Sequence, residues 1–119
     1  MNKILLLFII NIILLFAGTV KNDFYDLSAI SIDGDTISMD KFKNKTIMIV
    51  NVASQCGYTP QYSELQELNI IYDSTLAILG FPSNDFLWQE PGENDEIKLF
   101  CQRNYGVTFQ MFEKTHVKG

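Results

Sequence analysis

Two short runs do most to limit what this chain can fold into. Residues 47–53 read IMIVNVA and residues 76–81 read LAILGF. Both are nearly continuous in apolar residues, and the first is rich in β-branched side chains. Such runs suit strands buried on both faces. Two parallel strands need a crossover between them, and the intervening stretch offers one. From Pro60 to about Tyr72, Leu65, Leu68 and Tyr72 recur at helical spacing, and Pro60 suits a first helical turn. A second helix is expected over 95–105, with Ile97, Phe100, Cys101 and Tyr105 on one face. Glu93, Asp95 and Glu96 sit at its positive N-terminal end. Upstream, residues 24–39 hold two near-alternating runs around Asp33-Gly34, a hairpin signal. Residues 40–46 read as a polar turn, and the tail has room for a short strand. A hairpin followed by strand–helix–strand–helix predicts an α/β domain with helices on a mixed sheet.

The chain has 119 residues, which suits one domain. Its N-terminus reads as an address. Lys3 precedes ILLLFIINIILLFA, an apolar run of about 14 residues, within signal-peptide range and short for a membrane span. Ala17-Gly18-Thr19 offers small residues for cleavage. Residues 1–19 are expected to be a signal peptide or an N-terminal membrane anchor, and residues 20–119 a single domain. The protein would then be exported or membrane-anchored, touching the membrane only through this leader. A buried core helix is the plainer reading of the run. No cysteine lies near the cleavage region to carry a lipid. Asn44-Lys45-Thr46 fits the glycosylation sequon, which matters only in a eukaryotic host.

The formal net charge is -5, and all 14 acidic residues lie beyond the leader. The basic cluster Lys41, Lys43 and Lys45 is partly offset by Asp40. That balance argues against a nucleic-acid partner. A single histidine, His116, leaves little for a His-rich metal site or a His-based triad, so no metal is expected.

The chemistry that remains is carried by sulfur. Cys56 follows a buried strand and precedes a helix. That position sets the sulfur at the carboxyl edge of the sheet, with helix N–H groups aimed at a thiolate. Gly57 beside it permits close approach by another molecule. Cys56 and Thr59 form C-x-x-T, which excludes a vicinal dithiol. The second cysteine, Cys101, lies on the second helix. Both could equally be buried packing residues or one structural disulfide. Gln89 lies in the long loop after the second strand, where α/β sheets place ligands, and its amide could donate to an oxygen or a thiolate. The plainer reading is a glutamine that touches only water. Trp88 reads as a local packing anchor, and Asp85 and Glu90 as residues of a solvated loop.

Several segments together resemble the glutathione peroxidase family. Asn51-Val52-Ala53-Ser54-Gln55-Cys56-Gly57-Tyr58-Thr59 is similar to its active-site signature. Leu79-Gly80-Phe81-Pro82-Ser83-Asn84-Asp85-Phe86, running into Gln89-Glu90-Pro91-Gly92, resembles its second motif. Asp95-Glu96-Ile97, Phe100-Cys101 and Tyr105-Gly106-Val107-Thr108-Phe109 look like the helix and strand that follow. The resemblance runs from about residue 24 to the end, with the motifs in order. It implies a thioredoxin-like fold with an extra N-terminal hairpin. It implies that Cys56 is the peroxidatic residue and Gln89 the glutamine of a catalytic tetrad. Asn51, Gly57, Thr59, Pro82 and Asn84 match the supporting positions of these motifs. Cys101 matches the resolving cysteine of members that use thioredoxin, which are typically monomeric.

The implied reaction is a thiol peroxidase cycle on hydrogen peroxide or an organic or lipid hydroperoxide, serving the response to oxidative stress. Cys56 would become a sulfenic acid and then a disulfide with Cys101, which thioredoxin or glutathione would reduce, with no bound cofactor. Disulfide closure needs α-carbons within roughly 7 Å, so the Cys101 helix is expected to unwind in each cycle. Ser83 stands where the family often has Cys, Asp85 where Gln is frequent and Gln110 where Pro is common. Family members also continue past the Gly119 equivalent with strands, a helix and a Trp-Asn-Phe motif whose Trp and Asn complete the tetrad. Trp88 cannot replace that Trp. The chain is therefore expected to be C-terminally truncated, lacking its last strands and helix. The alternatives are a peroxide sensor or redox relay, and an inactive remnant.

Overall fold

The computed structural model describes residues 23–54, 60–85 and 88–117. The leader over residues 1–19 and the expected positions of Cys56, Gly57 and Thr59 lie outside the described residues. Among the described residues, no helix is long and apolar enough to cross a membrane.

The elements are β1 (Ser28–Ile30), β2 (Thr36–Ser38), β3 (Thr46–Val52), α1 (Gln61–Ile71), β4 (Leu76–Pro82), α2 (Asn94–Tyr105) and β5 (Gln110–Met111). Strands β3, β4 and β5 form a parallel sheet in that order, with β4 in the middle. Among the described residues, antiparallel pairing is confined to the β1–β2 hairpin and to a bridge between Ser31 and Phe112. Around that bridge Ile32 N–H donates to Met111 O at 3.1 Å and Glu113 N–H to Ile30 O at 3.0 Å. The hairpin is thus fastened to the edge that β5 forms.

Successive side chains of β4 point to opposite faces, and each face builds a core. Ile78 joins Val52, Tyr62, Ile97, Cys101 and Phe109 on the helical side. Ala77 and Leu79 join Met39, Phe42 and Phe112 on the hairpin side. The expectation of burial on both faces therefore holds for β4. It fails for β3, whose Ile49 is 59% exposed. An apolar β-branched run identifies a strand but not its place in the sheet. Gly80 is required by β5: a methyl group there would stand 2.7 Å from Met111 Sδ and 3.1 Å from the Phe109 ring.

Helix α1 buries a different stripe from the expected one. Leu65 and Leu68 are half-buried against the core, but Tyr72 is exposed and ends the helix. Tyr62 and Gln66, one turn apart, are the buried pair. The Gln66 side chain donates to Thr108 Oγ1 at 2.7 Å and accepts from Thr108 N–H at 2.8 Å, which ties α1 to the lead-in of β5. The hairpin turns at Asp33-Gly34 as expected, with Gly34 at φ +91°. Its loop, however, spans residues 31–35, and residues 24–26 form a short 3-10 turn rather than strand. The stretch read as a polar turn begins in a second 3-10 turn, Met39–Phe42, which buries Met39 and Phe42.

Candidate active site at the carboxyl edge of the sheet

Strands β3 and β4 run parallel and in register, so their carboxyl ends lie side by side, Asn51 opposite Phe81 and Val52 opposite Pro82. Beyond β3 the chain passes Ser54 and reaches Pro60 at the start of α1. The Cys56 segment joins these two points. Asn51 Nδ2 donates to Phe81 O at 3.4 Å, a clamp between the two strand ends. Ser83 N–H donates to Val52 O at 3.1 Å and extends the pairing one residue past Pro82. Pro82 and Ser83 are buried, and Thr115 N–H donates to Pro82 O at 2.8 Å.

The loop after β4 is folded back on itself. Asn84 Oδ1 accepts from Glu90 N–H at 3.1 Å, a clasp between Asn84 and Glu90. Gln89 lies half-buried at the end of that clasp. Trp88 beside it is 77% exposed, with its backbone in the left-handed region at φ +52°, so it anchors no packing. Asp85 is not a solvated residue either. Its carboxylate accepts from Val117 N–H at 2.5 Å and lies 3.1 Å from His116 Nδ1. The expected Asn51, Pro82, Asn84 and Gln89 are thus gathered at one edge of the sheet.

Cys101 comes to this region from the other side. It is a free thiol, 1% exposed, on the inner face of α2 beside Ile97. Burial pushes its pKa up to about 11, partly opposed by the Tyr62 hydroxyl, while the Glu90 carboxyl adds to the rise. Docked in this way it is a neutral thiol and a poor nucleophile. Helix α2 is closed at both ends by its own residues. Glu93 N–H donates to Glu96 Oε2 at 3.0 Å, and Gly106, at φ +59°, turns the chain so that its N–H reaches Gln102 O at 3.1 Å.

Sequence reasoning missed Glu90 and Tyr62. Glu90 is 1% exposed rather than solvated, and burial raises its carboxyl above the usual range against the pull of Ser54 and Lys114. With Ser54, Pro91, Ile97 and Phe100 it lines an open cavity of about 350 Å³ beneath α2. Tyr62 is 2% exposed, and its hydroxyl faces the Cys101 thiol. The i, i+4 pair Tyr62 and Gln66 could have been read as the inner face of α1. Nothing in the charge pattern marks Glu90.

The sequence model of the glutathione peroxidase family matches residues 24–119, and the chain belongs to that family. A glutathione peroxidase from Lactococcus lactis is 53% identical over 98 residues, covering 82% of this chain and 62% of that protein. A Synechocystis protein named hydroperoxy fatty acid reductase is 50% identical over 100 residues, covering 83% of this chain and 59% of that one. The chain spans about three fifths of the length of these curated relatives. In shape it is similar to a thioredoxin-family thiol:disulfide interchange protein from Chlorobium tepidum. The TM-score is 0.61 at 15% identity, over 75% of this chain and 57% of that one. The fold is thioredoxin-like, as the motifs implied.

Proposed function

We propose that this protein is a thiol peroxidase that reduces hydrogen peroxide or organic hydroperoxides at the expense of a thiol donor. Family membership supports the reaction class, and the likeness to the Synechocystis hydroperoxy fatty acid reductase supports a fatty-acid hydroperoxide as one substrate. The Cys56 thiolate attacks one peroxide oxygen, the O–O bond breaks, and water or an alcohol leaves. Cys56 is left as a sulfenic acid. Gln89 hydrogen-bonds at the sulfur and the departing oxygen. The Cys101 sulfur then attacks the sulfenic sulfur, the S–O bond breaks, and the oxygen leaves as water with the thiol proton. A dithiol donor such as thioredoxin, or glutathione, restores both thiols. Cys101 and the acidic balance favour thioredoxin, because anionic glutathione would be drawn to basic residues. In this reading residues 1–19 act as an export signal or membrane anchor, the chemistry runs outside the cytosol or at a membrane, and the chain acts as a monomer.

The single observation that carries this reading is Cys101. It is a reduced thiol kept neutral in the core, on a helix that packs beneath the site edge, 1% exposed beside Ile97 and Tyr62. The test is peroxide consumption by the full chain, coupled to thioredoxin, its reductase and NADPH. Turnover with a Cys56–Cys101 disulfide trapped after peroxide is expected. Absence of both would overturn the reading. A disulfide that forms within one equivalent of peroxide but passes to a partner without turnover would replace the enzyme by a sensor or relay.

A further inference from the structure

Four polar side chains meet beneath α2, each from a different segment: Ser54 after β3, Tyr62 from α1, Glu90 from the loop after β4 and Cys101 from α2 itself. Their contacts are loose. Tyr62 OH, Ser54 Oγ and Glu90 Oε2 are shut off from solvent without a well-aligned hydrogen bond. Even so, Tyr62 acts on the Cys101 thiol and Ser54 on the Glu90 carboxyl. Buried polar groups with poor partners cost stability, and where they persist they call for an explanation. Among the described residues, Glu96 from the first turn of α2 lines the same cavity as Glu90. Lys114, from the tail, faces Glu90, and its Nζ is also held by Gly92 O at 2.8 Å. Tyr105 faces Tyr62, at 5.5 Å between ring centroids. Among the described residues, Tyr62 and Glu90 act on Cys101.

We propose that Tyr62 and Glu90 are positioning residues for the resolving thiol, Tyr62 holding Cys101 docked against α1 and Glu90 coupling release of α2 to loss of its own proton. This deepens the peroxidase reading, since it takes Cys101 as the resolving residue. With α2 docked, the cavity wall includes Ile97 and Phe100, and burial holds the Glu90 carboxyl above its usual range. When α2 lifts, water reaches the carboxyl, which ionises at its ordinary value and gives its proton to solvent. Cys101 regains ordinary thiol acidity in the same movement and becomes able to attack.

The sign follows from linkage. The docked state keeps the Glu90 proton to higher pH than the released state does. Docking is therefore strongest below the ordinary carboxylate value of 4.5. It weakens about tenfold per pH unit above that value until Glu90 ionises in place, and then levels off. Cys101 adds a second loss of docking between its ordinary 9.0 and about 11.

The test labels Cys101 in the Cys56→Ser full chain, where it is the one remaining cysteine of two. The reagent is an aromatic disulfide that reacts at acid pH: the Cys101 sulfur takes one arylthio group and one aryl thiol leaves. With opening fast and reversible, the rate follows the opened fraction times its thiolate fraction. The logarithm of the rate should rise with slope near ~2 above the ordinary carboxylate value, then near ~1 once Glu90 ionises in place. Adding Glu90→Gln should give a slope of ~1 throughout. Adding Tyr62→Phe should raise the rate several-fold and keep the steep segment. A slope of ~1 in the Cys56→Ser chain itself, or a steep segment that survives Glu90→Gln, would overturn the coupling. An unchanged rate in Tyr62→Phe would remove Tyr62 from the proposal. If Glu90→Gln does not fold, the slope of the Cys56→Ser chain still decides. No peroxide enters the assay. A steep segment in a protein that forms no peroxide-dependent disulfide would therefore leave the coupling standing and sink the resolving role.

Discussion

The loop that carries Gln89 and the helix that carries Cys101 leave the same sheet but are fastened by different forces. The loop is held by directional bonds, two to its surroundings and one within itself. Ser83 N–H reaches Val52 O at 3.1 Å, Thr115 N–H reaches Pro82 O at 2.8 Å, and the Asn84–Glu90 clasp closes at 3.1 Å. Helix α2 satisfies most of its terminal groups internally, through Glu96 at one end and Gly106 at the other. Among the described residues its outward polar ties are the Asn94 side chain, which accepts from Lys114 N–H at 2.8 Å, and an exposed ion pair between Lys98 and Asp33. Beyond these, Ile97 and Cys101 are buried, 0% and 1% exposed, and Tyr105 stacks on Tyr62 of α1 at 5.5 Å between ring centroids. A segment that keeps its own hydrogen bonds and is attached mainly by apolar contact can open as a unit at modest cost. A loop pinned by backbone bonds cannot. The peroxide-reducing half of the proposed cycle needs fixed geometry and the resolving half needs travel, and the two fastenings match those needs.

The largest expected effect separates the two halves by their sulfur. Cys56→Ser should lower peroxide turnover by at least ~10³-fold, since no other group supplies the nucleophile. Cys101→Ser should leave the first oxidation intact, seen by mass spectrometry as one trapped sulfenic acid per chain. Thioredoxin-supported NADPH consumption should fall to background. If Cys101→Ser still turned over at the parent rate with thioredoxin, α2 would have no reason to move and the contrast between loop and helix would lose its function.

A smaller pair of effects should cross over. Ile97→Ala removes the fully buried anchor of α2 and should cost about 2–5 kcal/mol. Cys101 labelling should then accelerate by well over tenfold. Asn84→Ala leaves the Glu90 N–H without its acceptor, at a cost of about 1–3 kcal/mol. It should lower peroxide turnover by loosening Gln89 while Cys101 labelling stays near the parent rate. Accelerated labelling in Asn84→Ala would show that loop and helix open together, contrary to their separate fastening.

How much of this was readable in advance depended on whether the signal was periodic or three-dimensional. The β4 run was read correctly because LAILGF is apolar on both alternating faces, and both faces are covered. The β3 run looked alike, but Ile49 is exposed, since composition does not say which strand sits in the middle. Asn51, Pro82, Asn84 and Gln89 are singled out by motif resemblance; the in-register ends of β3 and β4 bring Asn51 and Pro82 to one edge, and the Asn84–Glu90 clasp sets Gln89 beside them. Glu90 was read as solvated because a lone acid in a turn-rich loop nearly always is. Its burial depends on α2, which closes over it from a later part of the chain, and on the Asn84 clasp that turns it inward. Tyr62 was missed for a related reason. Leucines drew the inner face of α1, whereas the space beside Cys101 is filled by an aromatic ring with a polar tip.

The smallest expected effect tests where α2 opens. Gly106 ends the helix at φ +59°, and no atom lies within 4 Å of where a Cβ would stand. A Gly106→Ala change therefore meets no steric neighbour, and its cost is the left-handed backbone alone, about 1–2 kcal/mol. The cap belongs to the docked helix, so the change should fall on opening rather than on the sheet. Cys101 labelling should accelerate by at least about fivefold, and Tm should drop by a few degrees. Disulfide formation after peroxide should quicken by the same factor, because it uses the same opening. Replacing Glu96 by Ala frees the Glu93 N–H at the opposite end and gives the matched comparison. If Glu96→Ala accelerates labelling and Gly106→Ala lowers Tm without doing so, α2 opens from its N-terminus, nearest the Gln89 loop. In that case the separation between the pinned loop and the releasable helix would narrow to the residues between Glu90 and Asn94.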